Sequence, residues 1–313
     1  MFDFVIIGAG SAGCALAARL SEDRNSTVLL IEAGPLFPVL GYPMVLKDAT
    51  HVVRRSRYDW SLRSEPEAGG HVIDVTAGRV AGGGSALNAA TFRRATPSDF
   101  AQWRGADQAG WSWPEILDAY VAIESYQIAA ELKDGTQHGH DGPVTVCQLS
   151  EVNATRTIGA FVHACTALGY ENLSDYNSVR QEGIAFHARN VVQGVRLNTA
   201  MTYLSDEVRA RSNLSIRSNA EVDTVGIEDG NAKGVRLVGG EKISAKETTL
   251  SAGAYGSPAI LLRSGVGPAQ DLVALGIPLE MDKPVGRGLK DQPSAVFRCV
   301  RRFAIFPRRT GRH

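Results

Sequence analysis

A short glycine-rich stretch near the N-terminus has the spacing of a phosphate-binding turn. It is Gly8-Ala9-Gly10-Ser11-Ala12-Gly13. In a G-x-G-x-x-G pattern the first glycine permits a tight turn, the second lets a pyrophosphate approach the backbone, and the third lets a helix pack closely on a strand. Free N–H groups at the start of that helix favour the negative charge of phosphates. The stretch therefore predicts a dinucleotide site.

Glu32 supplies a second feature of such a site. It stands 24 residues after Gly8, with Ala33 beside it. A carboxylate at this distance accepts hydrogen bonds from an adenosine ribose and repels a 2′-phosphate, so NADP is a poor candidate. These residues do not separate NAD from FAD, and a glycine-rich turn that binds no nucleotide is the alternative.

The surrounding segments predict the elements that position these residues. Phe2 to Ile7 is a nearly continuous apolar run rich in β-branched residues, typical of a parallel strand covered on both faces. Ser11 to Leu20 predicts a helix, and Thr27 to Ile31 predicts a second buried strand that ends at Glu32. A strand, turn, helix and strand in this order make the glycine pattern far more specific than it is alone.

Later segments favour FAD over NAD. Residues 78–88 place three consecutive glycines before Ser85, as expected where backbone lies against a large planar or anionic ligand. Val222 to Val238 predicts a β-hairpin around a turn at 228–231, and Glu247 to Leu250 predicts a strand that leads into small residues. A nucleotide-binding fold closed by a distant strand after a β-meander resembles flavoproteins of the glutathione reductase type.

Two longer segments, Gly78 to Ala101 and Gly253 to Gly267, resemble the two signatures of the glucose-methanol-choline (GMC) oxidoreductases, FAD enzymes that oxidise alcohols. The first signature matches Gly78 to Ala101, with one departure at Ala81, where a branched aliphatic residue is usual. The second matches Gly253 to Gly267 without departure. The likeness covers residues 3 to 297 and is strongest to the choline dehydrogenase and pyridoxine oxidase branch. It implies a glutathione-reductase-type FAD-binding Rossmann fold of the α/β class, with a β-meander and an incomplete α+β substrate domain.

The resemblance also implies which residues hold the cofactor. The ADP half of FAD is expected at Gly8, Gly10, Ser11, Ala12, Gly13, Glu32 and Ala33. The pyrophosphate and flavin are expected at Arg79, Val80, Gly82, Gly83, Ser85, Asn88 and Ala89. Val222 is expected near the adenine, and Ala252 and Gly253 on the closing strand.

Some of these positions have plainer explanations. Val222 and Ala252 would be buried in any such sheet, and Arg79 could be a surface cation, although phosphate or flavin contact explains a cation before three glycines better. Leu87 stands where some family members have a histidine bonded covalently to the flavin, so non-covalent FAD is expected. The four tryptophans are expected to be core residues rather than ligand platforms; they are Trp60, Trp103, Trp111 and Trp113.

The family's chemistry implies transfer of hydride from a CH–OH carbon of a small alcohol to flavin N5, with electrons passing on to dioxygen or a quinone. Its catalytic base is a histidine in a C-terminal segment that this sequence does not match, so no catalytic residue is assigned. His138 and His140 are expected to be solvated or structural loop residues, and His187 is a weak candidate for facing substrate. A non-catalytic FAD-binding fragment or pseudoenzyme, and a cyanohydrin lyase, are the alternatives.

Composition narrows the classes of function and the cellular location that fit the chain. The chain has 313 residues, 33 basic and 33 acidic. Residues 298–313 hold six Arg and no acid, so residues 1–297 carry 27 bases against 33 acids, a net of −6. This balance disfavours nucleic-acid binding. No membrane span, secretory signal, metal motif or disulfide framework is predicted, and a cytoplasmic location is expected.

The domain organisation follows from these matches. A discontinuous FAD-binding domain is expected at 1–97 and 205–297, with an inserted substrate or cap region at 98–204. Residues 298–313 form a basic tail that matches nothing in the family. A frameshift or premature stop explains that tail better than a genuine extension or a split gene, because family likeness and composition change at the same place.

Overall fold

The computed structural model describes residues 1–66, 69–103, 110–127, 138–149, 154–178 and 182–291. The basic tail lies outside the described residues. The strands are β1 Phe2–Ile7, β2 Val28–Ile31, β3 Leu62–Arg63, β4 Asp74–Val75, β5 Thr91–Phe92, β6 Glu124–Gln127, β7 Val144–Gln148, β8 Ala188–Arg189, β9 Val191–Val192, β10 Val195–Arg196, β11 Leu214–Arg217, β12 Val222–Glu228, β13 Asn231–Leu237, β14 Lys242–Leu250, β15 Val266–Gly267 and β16 Met281–Asp282. The helices are α1 Ser11–Leu20, α2 Met44–Lys47, α3 Pro97–Trp103, α4 Trp113–Ile123, α5 Arg156–Ala167, α6 Thr199–Thr202, α7 Asp206–Arg209, α8 Gly253–Arg263 and α9 Ala269–Ala274, with 3₁₀ turns at Val39–Gly41 and Gly83–Ala86.

A six-stranded sheet in the order β11-β2-β1-β14-β13-β12 forms the centre of the fold. Strand β1 pairs in parallel with β2 on one side and with β14 on the other. The predicted strand over Phe2–Ile7 and the predicted helix over Ser11–Leu20 are both confirmed, and β2 begins one residue later than expected. This is the α/β fold with a Rossmann-type arrangement that the sequence indicates.

Strand β14 is longer than its sequence pattern indicated, because its two halves have different partners. Its first residues, from Lys242 to Ser244, pair with β13 in antiparallel register, and those from Ala245 to Leu250 pair with β1. Ala245 is the one buried residue of this strand, and Lys246 and Glu247 are exposed, so no continuous apolar run marks its full length in the sequence. The β-meander and the parallel sheet are therefore joined through one strand.

The predicted hairpin of β12 and β13 is confirmed, with its turn at Asp229 and Gly230. Both turn residues have positive φ, 51° and 72°. Such a pair fits a type I′ turn, whose twist matches that of the flanking strands, and Asp-Gly is a favoured sequence for it. The local sequence is sufficient to specify this element.

Side chains of β1 and β2 alternate between two cores. Ile6 and Leu30 face the cluster that contains α1. Val5 and Ile7 face a second cluster, which includes Ile260 of α8. Both faces of the central strands are thus covered, which explains their nearly continuous apolar sequences.

A separate four-stranded sheet in the order β5-β8-β7-β6 takes three of its strands from the segment 98–204 and β5 from before it. Helix α4 begins at a capping box formed by Ser112 and Glu115. The predicted domain boundaries stay a prediction: β5 precedes residue 98 yet pairs in this sheet, while Ala200 and Leu204 pack in the core with Ile6. None of the helices in the described ranges has the length and apolarity to cross a membrane.

Candidate functional site

Two glycine-rich turns that are distant in sequence lie directly against each other. The N–H of Gly82 donates to the carbonyl of Ala9 at 2.7 Å. A Cβ added at Gly83 would lie 2.7 Å from the Cα of Gly10. Since real Cβ contacts are not that short, the two turns can meet only because residue 83 is a glycine. The structure therefore brings the two main predicted segments together.

The end of β14 completes this arrangement. The hydroxyl of Ser251 donates to the carbonyls of Ile7 and Gly8, both at 3.0 Å. A Cβ at Gly8 would lie 2.7 Å from the carbonyl oxygen of Ser251. We call residues 8–13, 82–89 and 251–253 the glycine-rich site.

Helix α1 begins at this site without a side-chain cap. Gly10 is its N-cap, in extended backbone with φ −77°, and the side chains of Ser11 and Ala12 are exposed. A Cβ added at Gly10 would lie 3.9 Å from Ser251 O and 4.0 Å from Gly83 Cα, which are ordinary contacts. The protein itself therefore does not require glycine at this position, and the open space fits close approach of a phosphate to the helix start.

Glu32 lies at the end of β2 and faces the turn. Its Oε2 accepts from the N–H of Ala9 and its Oε1 from the N–H of Gly34, both at 2.8 Å. Burial raises the pKa of this carboxyl, and the two N–H groups and the charge of Arg79 offset that effect only in part. Each carboxylate oxygen has a second lone pair, so Glu32 can also accept from a ribose hydroxyl. Ala33, next to it, is partly buried.

Arg79 lies beside a carboxylate and an aromatic ring. Its Nη2 is 3.4 Å from Oε2 of Glu221, and its guanidinium carbon is 5.0 Å from the ring centre of Trp60. Glu221 directly precedes Val222, the residue predicted near the adenine. Burial of Arg79 Nε leaves that donor with no hydrogen-bond partner in the described structure. Arg79 thus contacts protein groups while its side chain stays 41% exposed, and its contact with a phosphate or flavin stays a prediction.

The expectation that the tryptophans are core residues is wrong for two of them. Trp60 is 39% exposed under Arg79, and Trp111 is 42% exposed and stacks on Phe100 at 6.3 Å between ring centres. Trp113 is half-buried against the same phenylalanine, and the side chain of Trp103 lies outside the described residues. Trp60 contacts a cation and Trp111 contacts Phe100, and both stay partly exposed because a broad amphipathic ring is stable at such a position.

Residues 85–89 differ in which of their groups could face a ligand. The hydroxyl of Ser85 donates to the carbonyl of Gly82 at 2.6 Å and accepts from the N–H of Thr199 at 3.0 Å, so it faces the protein. Asn88 and Ala89 are exposed, while Leu87 is 1% exposed. Ligand contacts of these residues stay predictions, and Ser85 is placed to offer backbone rather than hydroxyl.

Three further predicted positions are buried in packing. Val80 is fully buried in the cluster that contains α1. Val222 is 5% exposed in the second cluster, and Ala252 packs against the same cluster. The expectation that Ala252 and Gly253 lie on the closing strand is wrong, because β14 ends at Leu250. Ala252 is the N-cap of α8, and the exposed Gly253 begins that helix with φ 81°, where the chain turns out of the strand. Burial agrees with the plainer explanation of Val222 and Ala252, and their ligand contacts stay predictions.

His138 has a structural position. Its Nδ1 is 3.0 Å from Glu124, its Nε2 is 2.9 Å from Asp175, and its ring stacks on Tyr126 at 3.8 Å. Arg94 binds the same Glu124 with two nitrogens. This buried network engages both ring nitrogens, as expected of a structural loop histidine.

The other described histidines are exposed. These are His51, His71, His140, His163 and His187. The ring of His187 contacts Tyr176 edge-on, with ring centres 6.5 Å apart. Within the described ranges no group of three or more His, Cys, Asp or Glu side chains could hold a metal ion.

The sequence did not predict that residues 189–199 pack against the glycine-rich site. Residues 189–199 contribute Arg189, Arg196, Asn198 and Thr199, each of which contacts residues 82–89. The sequence offered one signal, a Gln-Gly pair between Val191-Val192 and Val195, which is typical of a short hairpin. In the structure both turn residues have positive φ, and the hairpin pairs Val191 with Arg196.

Relatives and solved structures of similar sequence agree on the class of protein. The chain is 34% identical over 311 residues to an oxygen-dependent choline dehydrogenase from Photobacterium profundum, covering 95% of the chain and 52% of the relative. It is 34% identical over 310 residues to a 5-(hydroxymethyl)furfural oxidase from Methylovorus, covering 94% of the chain and 57% of the relative. The chain spans about half the length of the curated relatives it matches.

Solved structures give the same result. Pyridoxine 4-oxidase from Mesorbium loti superposes with a TM-score of 0.83 at 35% identity, covering 91% of this chain and 56% of that one. An FAD-dependent oxidoreductase from Chaetomium thermophilum superposes with a TM-score of 0.82 at 30% identity, covering 91% and 51%. A family model for GMC oxidoreductases matches residues 2–294. Because that match covers nearly the whole chain, the protein belongs to the GMC oxidoreductase family.

Proposed function

We propose that this chain binds FAD non-covalently and forms the cofactor-holding part of an oxidoreductase that acts on the CH–OH group of a small alcohol. The observation that carries the proposal is the open start of α1 at Gly10, where the chain leaves space that its own packing does not need. Family membership and the relative named as an FAD-dependent oxidoreductase support FAD as the dinucleotide.

The residues of the chain would bind and orient the cofactor. The amides of Ser11, Ala12 and Gly13 at the helix start would hold the pyrophosphate, and Glu32 would accept from the adenosine ribose. The backbone of the segment 82–89 would lie against the flavin, with the exposed Asn88 and Ala89 on that side.

The proposed activity is oxidation of an alcohol. FAD, when bound, supplies the acceptor for a hydride from the alcohol carbon. Relatives named choline dehydrogenase, 5-(hydroxymethyl)furfural oxidase and pyridoxine 4-oxidase support a small alcohol as substrate, and dioxygen or a quinone is proposed as the final electron acceptor. The cytoplasmic location stays a prediction, which cell fractionation would test.

A titration of the purified chain with FAD tests cofactor binding. Quenching of flavin fluorescence should saturate at one FAD per chain, and a chain that binds none would contradict the proposal. Leu87 is buried and has no group that bonds to a flavin, which supports the non-covalent mode. Acid precipitation should then release all flavin into the supernatant, whereas flavin kept in the pellet would contradict that mode.

A second candidate is an FAD-binding chain without turnover of its own. It is supported by His138, the one buried histidine of the described ranges, whose two ring nitrogens both bind carboxylates. It shares the cofactor prediction and differs only in whether alcohol reduces the bound flavin.

A further inference from the structure

Arg189 joins two segments that are separate in sequence. Its Nη2 donates to the carbonyl of Ala49 at 2.6 Å and to that of Ala89 at 2.8 Å. Ala89 is the last residue of the segment 82–89 in the glycine-rich site. One guanidinium nitrogen therefore holds this segment against the loop that follows α2.

Arg196, which is fully buried, joins the same two segments at a second point. Its Nη1 donates to the carbonyls of Leu46 at 3.0 Å and Ala86 at 2.7 Å, and its Nη2 donates to that of His51 at 2.5 Å. The guanidinium plane can serve several acceptors at fixed angles, which a lysine ammonium on a flexible stem cannot do. The two arginines thus form a double bridge between residues 46–51 and 86–89.

Arg196 is fully buried and Arg189 is half-buried, and in the part of the chain that the structure describes neither has a carboxylate partner. Among the described residues, Arg189 and Arg196 form no ion pair, and the Nε of each is buried with no hydrogen-bond partner. Burial lowers the pKa of Arg196, and the neighbouring charge of Asp48 offsets this in part. Burying a charge without a carboxylate is costly, so the carbonyls must compensate. For the fully buried Arg196, the three carbonyl acceptors provide that compensation.

The neighbouring residues support the same segment. The N–H of Asn190 donates to the carbonyl of Ala90 at 2.8 Å. A Cβ added at Gly82 would meet the side-chain oxygen of Asn198 at 2.7 Å. Contacts from residues 189–198 therefore occur at both ends of the segment 82–90 and at its middle.

We infer that Arg189 and Arg196 are positioning residues, which fix the backbone of residues 82–89 so that it fits the flavin. This inference rests on the proposed function, because it takes that segment as part of the FAD site. It adds two residues of the inserted region to the cofactor site, and these act through the backbone rather than by touching the ligand.

Hydrogen exchange on the chain without FAD tests the bridge itself. Arg189→Met and Arg196→Met should speed amide exchange in residues 83–90 by about tenfold, the effect of losing a hydrogen bond from a charged donor. Arg211→Met is the matched control, since Arg211 binds the carbonyl of Ala18 at 2.6 Å, at the other end of α1. Equal exchange of residues 83–90 in all three variants would overturn the inference.

FAD titration then tests the consequence for the cofactor. Arg189→Met should weaken FAD binding by about tenfold, and Arg211→Met should stay within about twofold of the unaltered chain. If Arg196→Met does not fold, Arg189→Met and Arg196→Lys carry the test. Unchanged FAD affinity in Arg189→Met would overturn the inference, whereas an unaltered chain that binds no FAD would contradict the proposed function and leave the exchange result to decide on the bridge.

A lysine variant of Arg196 separates the effect of fixing the segment's position from the effect of the positive charge. Arg196→Lys keeps the positive charge but cannot serve carbonyls on both segments, so its FAD affinity should stay weakened by about tenfold. Restoration of both exchange and affinity by lysine would show that charge is sufficient, which would overturn the positioning role.

Discussion

Two glycines of one turn are required for different reasons. A Cβ at Gly13 would lie 1.9 Å from the carbonyl oxygen of Gly8, so packing of the chain demands glycine there. A Cβ at Gly10 meets only ordinary contacts. At the residue scale, the motif therefore contains one position selected by the fold and one that a ligand explains better.

Gly10→Ala and Gly13→Ala should separate these two roles. Gly13→Ala should lower the free energy of unfolding by about 3 kcal/mol, because backbone must move to admit the methyl group. Gly10→Ala should change it by about 0.5 kcal/mol or less but weaken FAD binding by about tenfold. Denaturant unfolding and FAD titration measure the two effects. Equal loss of stability in both variants would contradict the assignment.

Glu32 is the other residue on which the proposed site depends. Glu32→Gln keeps one acceptor and turns an amide donor toward a backbone N–H, so FAD affinity should fall by about tenfold. Glu228→Gln, at an exposed position in β12, is the matched control and should leave affinity unchanged. Titration of both variants with FAD checks this, and tight binding by Glu32→Gln would count against the ribose contact.

The pH dependence of the unaltered chain follows from the same carboxyl. Because its pKa is raised in the folded protein, the stability linked to it is complete below the ordinary carboxyl pKa and is lost as pH rises through the folded value. FAD binding should change in the opposite sense and weaken as pH falls through that value, because protonation removes an acceptor. A pH series of titrations should show this weakening in the unaltered chain and not in Glu32→Gln.

At the scale of elements, loops that approach the four-stranded sheet are held by buried charge. Glu124 on β6 is fully buried between Arg94 and His138, and Asp175 from a following loop reaches the other side of the same imidazole. Tyr126 stacks on the ring. Cations and carboxylates alternate through this network, which satisfies charges that would be costly alone.

His138→Ala should lower the free energy of unfolding by about 3 kcal/mol, because it leaves two carboxylates short of a partner.

The stability of the unaltered chain should depend on pH in two ranges, an alkaline limb caused by His138 and an acidic limb caused by Asp175. Burial lowers the pKa of His138, but hydrogen bonds to Asp175 and Glu124 outweigh it and the pKa is raised. Its contribution is therefore present below the ordinary histidine pKa and is lost as pH rises through the folded value.

The acidic limb has the reverse sign. Burial raises the pKa of Asp175, but the bonds to His138 and the N–H of Asn177 outweigh it and the pKa is lowered. Its contribution is present above the ordinary carboxyl pKa and is lost as pH falls through the folded value. Denaturant unfolding across pH should show both limbs in the unaltered chain, and His163→Ala, exposed on α5, should retain them. Persistence of the alkaline limb in His138→Ala would show that another group causes it.

At the scale of the whole molecule, the described residues hold a six-stranded central sheet and a glycine-rich site, and the chain spans about half the length of the curated relatives it matches. Within the described ranges, His138 is the one buried histidine and the others are exposed. A general base must be held within hydrogen-bond reach of the proton that it takes. The proposed binding and the proposed turnover are therefore separable properties.

We predict that the purified 313-residue chain, loaded with FAD, does not lose its visible flavin absorbance when mixed anaerobically with choline, pyridoxine or 5-(hydroxymethyl)furfural. Dithionite should bleach the same sample, which serves as the control for a reducible flavin. Bleaching by an alcohol at a rate typical of enzymes, about 1 per second or faster, would show that the chain has its own base.

The sequence by itself determined the local elements: the strand, turn and helix from Phe2 to Leu20, the Asp-Gly hairpin, and the small residues of the glycine-rich turns. These follow from backbone sterics and from the periodicity of apolar side chains, both of which act over a few residues. Family resemblance extended this to the cofactor class.

Only the tertiary structure decided which distant residues meet. It placed Gly82 on Ala9, Arg79 over Trp60, and Arg189 and Arg196 beneath residues 86–89. The partner of a long polar side chain depends on the path of the whole chain and not on its sequence neighbours. An arginine that binds backbone carbonyls leaves even less trace, since every residue provides the same acceptor.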